Sequence, residues 1–524
     1  MKVRAALAAL VLAGLPLDCL GAGGAQAAPP RSAAIKDPDT RAWWQIAEAL
    51  SSDAMEGRDI GSAGYDRAAE VVVQRFKAAG LKPAGDDGGW FQVFKVHEVK
   101  VDKADAAFQL RPFAGGAGPP LRFLHDITIR PSDTLPPEIE GALTFRGYCA
   151  PSSLKGVERK VVVCFNSKRA GLPSAGQRIL AVENAGATGL IQVDDPYFTI
   201  EPPRWPAAYA RSVTIAGTAE PPQAGLPVMA MSGEAFKAMI AGAGQDPEEI
   251  LKLGGAKQPL PSFDIPSSLA ARFKTTRRDY TAKNVVGVLP GRDPKLAAEH
   301  LVLSAHLDGY GFGEPVDGDG LYNGTLDDAA YVGTLIRFAD RHRGKPLRRS
   351  VVFAAFTGEE KGLLGAHWFV DHHTAPIVAD INLDQLRPLF PLEILTELAV
   401  DDTTLGLSAR QVAASMGIRI QSDPEPERGL LQRADHWPFM QDGIPATGFI
   451  FGYVPGTEAE RRYREWYQVR YHRPQDDLTQ PMDFQAAGAF NRFFYKLAET
   501  VADADAKPGW IKPPPAPPPP RAER

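Results

Sequence analysis

The sequence predicts an α/β protein: a mainly parallel mixed sheet flanked by helices on both faces, interrupted by a β-rich insert. Three observations carry that expectation. After about residue 266, strand-like runs alternate with helix-like stretches, and that alternation implies parallel strands joined by crossover helices. Runs such as "LVLSAH" and "VVFAAF" are apolar throughout, as strands covered on both faces must be. Between about 126 and 265 the texture turns to short strands with many prolines and glycines, which marks a separate module.

The elements follow in order. Thr40 to Ser52 reads as a helix. In "GYDRAAEVVVQRFKAAGLKPAG", Ala69, Val72, Val73 and Phe76 form an apolar stripe that Gly80 stops. "WFQVFKVHEV" alternates like a strand. In the insert, "RKVVVCFN" is a buried strand, "GQRILAVENAGATGLIQVDD" a helix, a glycine stop and a strand, and "LPVMAMS" a strand before a helix around Ala235. Beyond it come the strands "NVVGVLPG", "EHLVLSAHLDG", "RSVVFAAFTGEE" and "ADINLDQL", with helices near Tyr331 to Arg341 and Gly362 to His372. The expected division is a leader at 1–27, a discontinuous main domain at 36–125 and 266–505, the insert at 126–265, and a proline-rich, extended tail at 506–524.

The chain has 524 residues, 44% hydrophobic and 23% charged, with a formal net charge of −5. Such a length buries a large core without staples. The acidic balance argues against a nucleic-acid partner, whose binding surfaces are basic. The opening "MKVRAALAALVLAGLPLDCLGAGGAQAAPP" has Lys2 and Arg4, a short apolar core, and small residues at Ala25 and Ala27. It reads as a secretory leader cleaved after Ala27, so the mature protein is expected to be periplasmic or secreted, without stable membrane insertion. Cys149 and Cys164 then remain, and pairing and free thiols are both open.

In open α/β sheets, functional groups gather at the carboxyl ends of strands. Here those ends carry His306 and Asp308, then Glu359 and Glu360, then Asp384. "LYNGTLDDAAYVG" brings Asp327 and Asp328 to a helix start, and "YHRPQDDL" brings His472. Each residue alone has an ordinary explanation, such as an aspartate capping a helix. Together, imidazoles and carboxylates at one sheet edge suit a hydrolytic zinc site. Five ligands crowd one tetrahedral ion, whereas two Zn²⁺ ions sharing one carboxylate accommodate them. His436, in "RADHWPF", is a candidate for lining the pocket.

These motifs resemble the di-zinc aminopeptidase family, which includes bacterial leucyl aminopeptidase, glutamate carboxypeptidase II and glutaminyl cyclase. "SAHLDG", "YNGTLDDA", "FTGEEKGLLG", "INLDQ", "ADHWPF" and "YHRPQDDL" resemble its core motifs in order. "KVVVC" and "NAGATGLIQV" resemble a protease-associated domain. The resemblance implies a zinc-peptidase phosphorylase/hydrolase-like fold acting on peptide substrates. It implies His306, Glu360, Asp384 and His472 as zinc ligands and Asp327 as the bridging carboxylate. It implies Glu359 as general base, Asp308 as the carboxylate orienting a ligand histidine, and a cis peptide between Asp327 and Asp328. "DDAAYVG" departs from the family's Asn-Ala-Ser-Gly run and is expected to bring Tyr331 to the site mouth.

The expected activity is therefore that of an exported zinc-dependent aminopeptidase. The alternatives are a carboxypeptidase, dipeptidase or glutaminyl cyclase on the same scaffold, or a non-catalytic binding protein. No G-x-S-x-G elbow and no H-E-x-x-H helix occurs in the sequence, which removes two other hydrolase classes.

Overall fold

A computed structural model describes residues 31–116, 118–218, 225–384 and 386–516. The expected leader and the end of the proline-rich tail lie outside these residues. The main sheet has eight strands. Ala446–Thr447, Ile377–Leu383, His300–His306 and Ser350–Phe356 lie side by side and are mutually parallel. Thr275–Leu289, Phe91–Val101 and Arg211–Ile215 extend the sheet in antiparallel register, and Lys82–Pro83 pairs with the first of these.

Both faces of the parallel half are covered. Leu301, Leu303, Val351, Phe353 and Ile381 pack in one cluster with residues of the helices Pro38–Leu50, Ala63–Ala79, Ala330–Arg341 and Phe484–Asp503. The alternate residues Val302, Val352 and Ala354 pack with Ala366, Phe369 and Phe439 from the helices Leu364–His372 and His436–Gln441. Successive side chains on a strand point to opposite faces, so a continuous apolar run serves both layers. The first helix begins at Pro38, two residues before the expected Thr40. The Asp37 carboxylate accepts from the Thr40 N–H at 2.8 Å, and Pro38 needs no N–H partner there.

A second eight-stranded sheet draws its strands from Ala107 to Arg272. Its reach exceeds 126–265 because Ala107–Pro112 pairs with Ser262–Arg272 in a long antiparallel ladder. Glu138–Arg146, Val161–Asn166, Gly189–Asp194 and Val228–Met231 form a parallel run within it. The intervening strand Arg211–Ile215 leaves this module and joins the main sheet at Phe91–Val101, so the two sheets interlock. Cys149 and Cys164, both fully buried, form a disulfide with Cα atoms 5.6 Å apart.

The tail is docked at its start. Trp510 bridges to Thr403 and donates its indole N–H to the Gly443 carbonyl at 2.6 Å. No helix among the described residues is long and apolar enough to cross a membrane.

Candidate metal centre

The four parallel strands create the site by their order. The chain passes from His300–His306 to Ser350–Phe356 on one side and returns to Ile377–Leu383 on the other. This reversal is a topological switch point, where a crevice opens beyond the carboxyl ends of the strands. His306 ends the first strand, Glu359 and Glu360 follow the second, and Asp384 follows the third. Gly358, at φ 72°, makes the turn between strand and glutamates; glycine takes that conformation at least cost.

Asp327 arrives from a loop that is held tightly. Its peptide bond to Asp328 is cis, as the resemblance implied. A Cβ on Gly324 would lie 2.4 Å from the Asp327 carbonyl oxygen, so the approach admits no side chain there. Asp328 accepts the His306 backbone N–H at 3.1 Å, and Asp476 accepts the Leu326 N–H at 3.0 Å. Arg58, fully buried, donates to the carbonyls of Leu50, Leu307, Asn323 and Gly324. It thereby ties the first helix to the strand end and to the loop.

These supports bring seven expected residues together. His306, Asp327 and Asp384 converge in one group, and Asp327, Glu360 and His472 in a second, with donor atoms in each within 4.8 Å of one another. Asp327 belongs to both. His306 Nε2 lies 3.4 Å from Asp327 Oδ1 and 3.9 Å from Glu359 Oε2. His472 Nε2 lies 3.3 Å from both Asp327 Oδ2 and Glu360 Oε2. Asp308 acts through two groups. Its backbone carbonyl takes the His306 Nδ1 contact at 3.1 Å, while its carboxylate, 3.7 Å from that nitrogen, accepts the Glu359 N–H at 3.1 Å. The histidine is thus oriented mainly by main chain, and the carboxylate fixes the neighbouring glutamate.

Burial pushes the Glu359 carboxyl well above the usual carboxylate range; His306 opposes this and Glu360 adds to it. Burial, with Asp327 adding, pushes Glu360 up to about 8. Burial also acts upward on Asp327, but Arg387, His306 and His472 outweigh it and hold that carboxyl well below its ordinary value. Burial, with Arg204 adding, pushes the His472 imidazole down to about 3, which keeps it neutral, the form that ligates metal.

The residues fit a divalent zinc site. His306 Nε2 and Asp327 Oδ2 are buried without a hydrogen-bond partner, and such atoms are costly unless a further group meets them. The donors are imidazole nitrogens and carboxylate oxygens, the set zinc takes. A cavity of about 540 Å³ opens beside them, walled by Tyr310, Leu363, His367, Arg433, Trp437 and Gln441 among others.

Two expected pocket residues lie elsewhere. Tyr331 is not at the mouth: it is buried, and its hydroxyl donates to the Leu386 carbonyl at 2.8 Å. Its place in the first turn of Ala330–Arg341 turns it into the core, where it packs edge-on against Phe490. His436 is fully buried beside Gly448, and burial pushes it down to about 4. The next residue, Trp437, reaches the cavity instead, because one step along a helix rotates the side chain by about 100°.

Sequence reasoning missed several supporting groups. Tyr310 Oη lies 2.7 Å from His472 Nδ1, and Arg204, from the insert, contacts the same nitrogen. Arg387 is fully buried, 3.7 Å from Asp327 Oδ1, and stacks 4.2 Å over Trp466. The adjacency of Tyr310 and Arg387 to quoted motifs was the available signal; nothing local points to Arg204.

Comparison with known proteins finds a family and solved structures similar to this chain. Residues 284–498 match the model of peptidase family M28. The chain is 25% identical over 226 residues to leupeptin-inactivating enzyme 1 of Streptomyces exfoliatus, covering 40% of this chain and 48% of that protein. It is 26% identical over 204 residues to aminopeptidase YwaD of Bacillus subtilis, covering 38% and 40%. The chain thus spans about half the length, or less, of these curated relatives. Among solved structures, an aminopeptidase from Aneurinibacillus sp. strain AM-1 superposes with a TM-score of 0.60 at 14% identity, covering 91% of this chain and 97% of the other. The zinc aminopeptidase BSAP of Bacillus subtilis gives 0.56 at 17%, covering 89% and 96%. At these identities the superpositions speak to the α/β fold, and the family match speaks to the segment that carries the six motifs: residues 284–498 are similar to peptidase family M28.

Proposed function

We propose that the protein is an exported zinc-dependent exopeptidase, an aminopeptidase that removes N-terminal residues from peptides. The observation that carries this reading is the pair of donor groups sharing Asp327, with Glu359 outside both yet within 3.9 Å of His306. His306, Asp327 and Asp384 would hold one zinc ion, and Asp327, Glu360 and His472 the other. When bound, the ions supply the positive charge that polarises a scissile carbonyl and acidifies a water.

The chain's own residues then divide the work. Glu359 takes a proton from the attacking water and returns it to the leaving amine. Asp308 holds Glu359 in place by accepting its N–H. Tyr310 steadies the His472 ring from the side away from Glu360. Trp437, Leu363 and Gln441 offer the substrate a partly apolar wall. The composition of residues 1–27 supports export, and a buried disulfide in the insert suits an oxidising compartment. The insert is read as a protease-associated module whose Glu201 and Arg204 contact the cavity-lining Arg433 and His472.

The test is a zinc count combined with a substrate panel of aminoacyl amides, N-blocked peptides and N-terminal glutaminyl peptides. Two zinc ions per chain and cleavage confined to free N-termini are expected. One ion with cyclisation of glutaminyl peptides would mean a cyclase. Absence of bound metal and of chelator-sensitive hydrolysis would overturn the reading.

A further inference from the structure

Among the described residues, Arg433 is the one lysine or arginine lining the cavity. Left free, it would draw acidic groups into a pocket whose other walls include Leu363 and Trp437. It is not free. Its Nη1 lies 2.6 Å from Glu201 Oε1, and its Nη2 donates to the Tyr471 hydroxyl at 3.0 Å.

Glu201 belongs to the insert, 232 residues away in the chain, and its side chain is only 3% exposed. Lys168 and Arg204, also from the insert, lie 3.6 and 3.7 Å from the same Oε1 atom. Burial acts to raise the Glu201 carboxyl, but Arg433, Lys168 and Arg204 outweigh it and hold it at about 2. The carboxylate is therefore a fixed negative charge at neutral pH. Its shortest contact is with Arg433 at the cavity wall, and Lys168 and Arg204 of the insert pair with it as well.

We infer that Glu201 is a specificity-determining residue: by pairing with Arg433 at the cavity wall, it makes the pocket reject acidic side chains and accept uncharged ones. The inference rests on the peptidase reading for what the cavity binds. It gives the insert a direct part in substrate choice, because removing the Glu201 charge would leave Arg433 facing the cavity with only a phenol as partner.

The test uses the zinc-loaded full chain and two isosteric probes, L-aspartate and L-asparagine, titrated by calorimetry. Their shared amine and α-carboxylate cancel in the ratio of affinities, leaving the side-chain charge. Glu201→Gln should shift that ratio toward aspartate by about two- to fivefold, the change that one exposed charge contact commonly gives. In an Arg433→Gln background the same substitution should shift nothing. An unchanged ratio, or an equal shift without Arg433, overturns the inference. Should Glu201→Gln fold poorly, Glu201→Asp keeps a carboxylate at this position but withdraws it from Arg433 by one methylene. Part of the same shift is expected there, and none overturns the proposal. Because binding is read without turnover, a protein that shows the shift yet hydrolyses no peptide would refute the peptidase reading and leave the pairing standing.

Discussion

The molecule contains two parallel runs of four strands, and polar side chains gather at the carboxyl ends of both. In the main sheet the ends carry His306, Glu359, Glu360 and Asp384; in the insert they carry Asn166, Asp194 and Asp195. The two edges differ in topology. The main sheet reverses its strand order beside His300–His306, whereas the insert's strands follow one another in sequence order. They also differ in how charge is met. Asp194 accepts from Asn166 and from the Trp205 indole, and Asp195 pairs with Arg169 at 3.3 Å. In the main sheet His306 Nε2, Asp308 Oδ2, Asp327 Oδ2 and Asp328 Oδ1 are buried without hydrogen-bond partners. Acidic strand ends alone do not make a functional site. A chain reversal opens the crevice, and unmet donor atoms make it a place for cations.

That contrast is open to attack at several points. The largest effects belong to the paired glutamates. Glu360→Gln should cost the protein the zinc ion assigned to Asp327, Glu360 and His472 and abolish turnover, read by metal analysis beside activity. Glu359→Gln should lower kcat by about 10²–10⁴-fold, the usual contribution of a general base, while keeping its zinc. If the two variants lose metal alike, the division of labour between adjacent carboxylates is wrong. A smaller effect is expected on the insert's edge. Asp195→Asn should lower unfolding stability by about 1 kcal/mol, because it weakens a half-buried pairing, with zinc content untouched; loss of metal there would erase the distinction between the two edges. The smallest concerns Tyr331. Tyr331→Phe removes one hydrogen bond to Leu386 and should cost about 1 kcal/mol in thermal or denaturant unfolding. A changed substrate preference in that variant would return Tyr331 to the pocket.

Much of the main domain was legible because its signals are local. The apolar runs that became Ser350–Phe356 and Ile377–Leu383 needed no tertiary information, and Gly80 stops its helix with φ 83° as read from the chain. The ligand types at successive strand ends were legible for the same reason. The choice between helix faces was harder. Tyr331 and His436 both sit in motifs that approach the metal centre, yet rotation about a helix axis sends each into the core. The reach of the insert's sheet was also hidden, since the partner of Ala107–Pro112 lies some 155 residues away in Ser262–Arg272, and ladder register between distant strands leaves little local trace.

Residue order alone thus specified an α/β chain, the apolar strands of its core, and the nitrogen and oxygen donors that those strands carry to their ends. Folding added the relations among them. The Arg58 clamp on the carbonyls of Asn323 and Gly324 holds the loop that carries Asp327 into both donor groups. Arg204 and Tyr310 meet on His472 from opposite modules, and Glu201 reaches Arg433 across 232 residues. Such contacts depend on how two interlocked sheets pack, and no periodicity or spacing along the chain encodes them. The pairing of Cys149 with Cys164, open from the sequence, was settled in the same way: the fold brings their Cα atoms to 5.6 Å, within bonding reach.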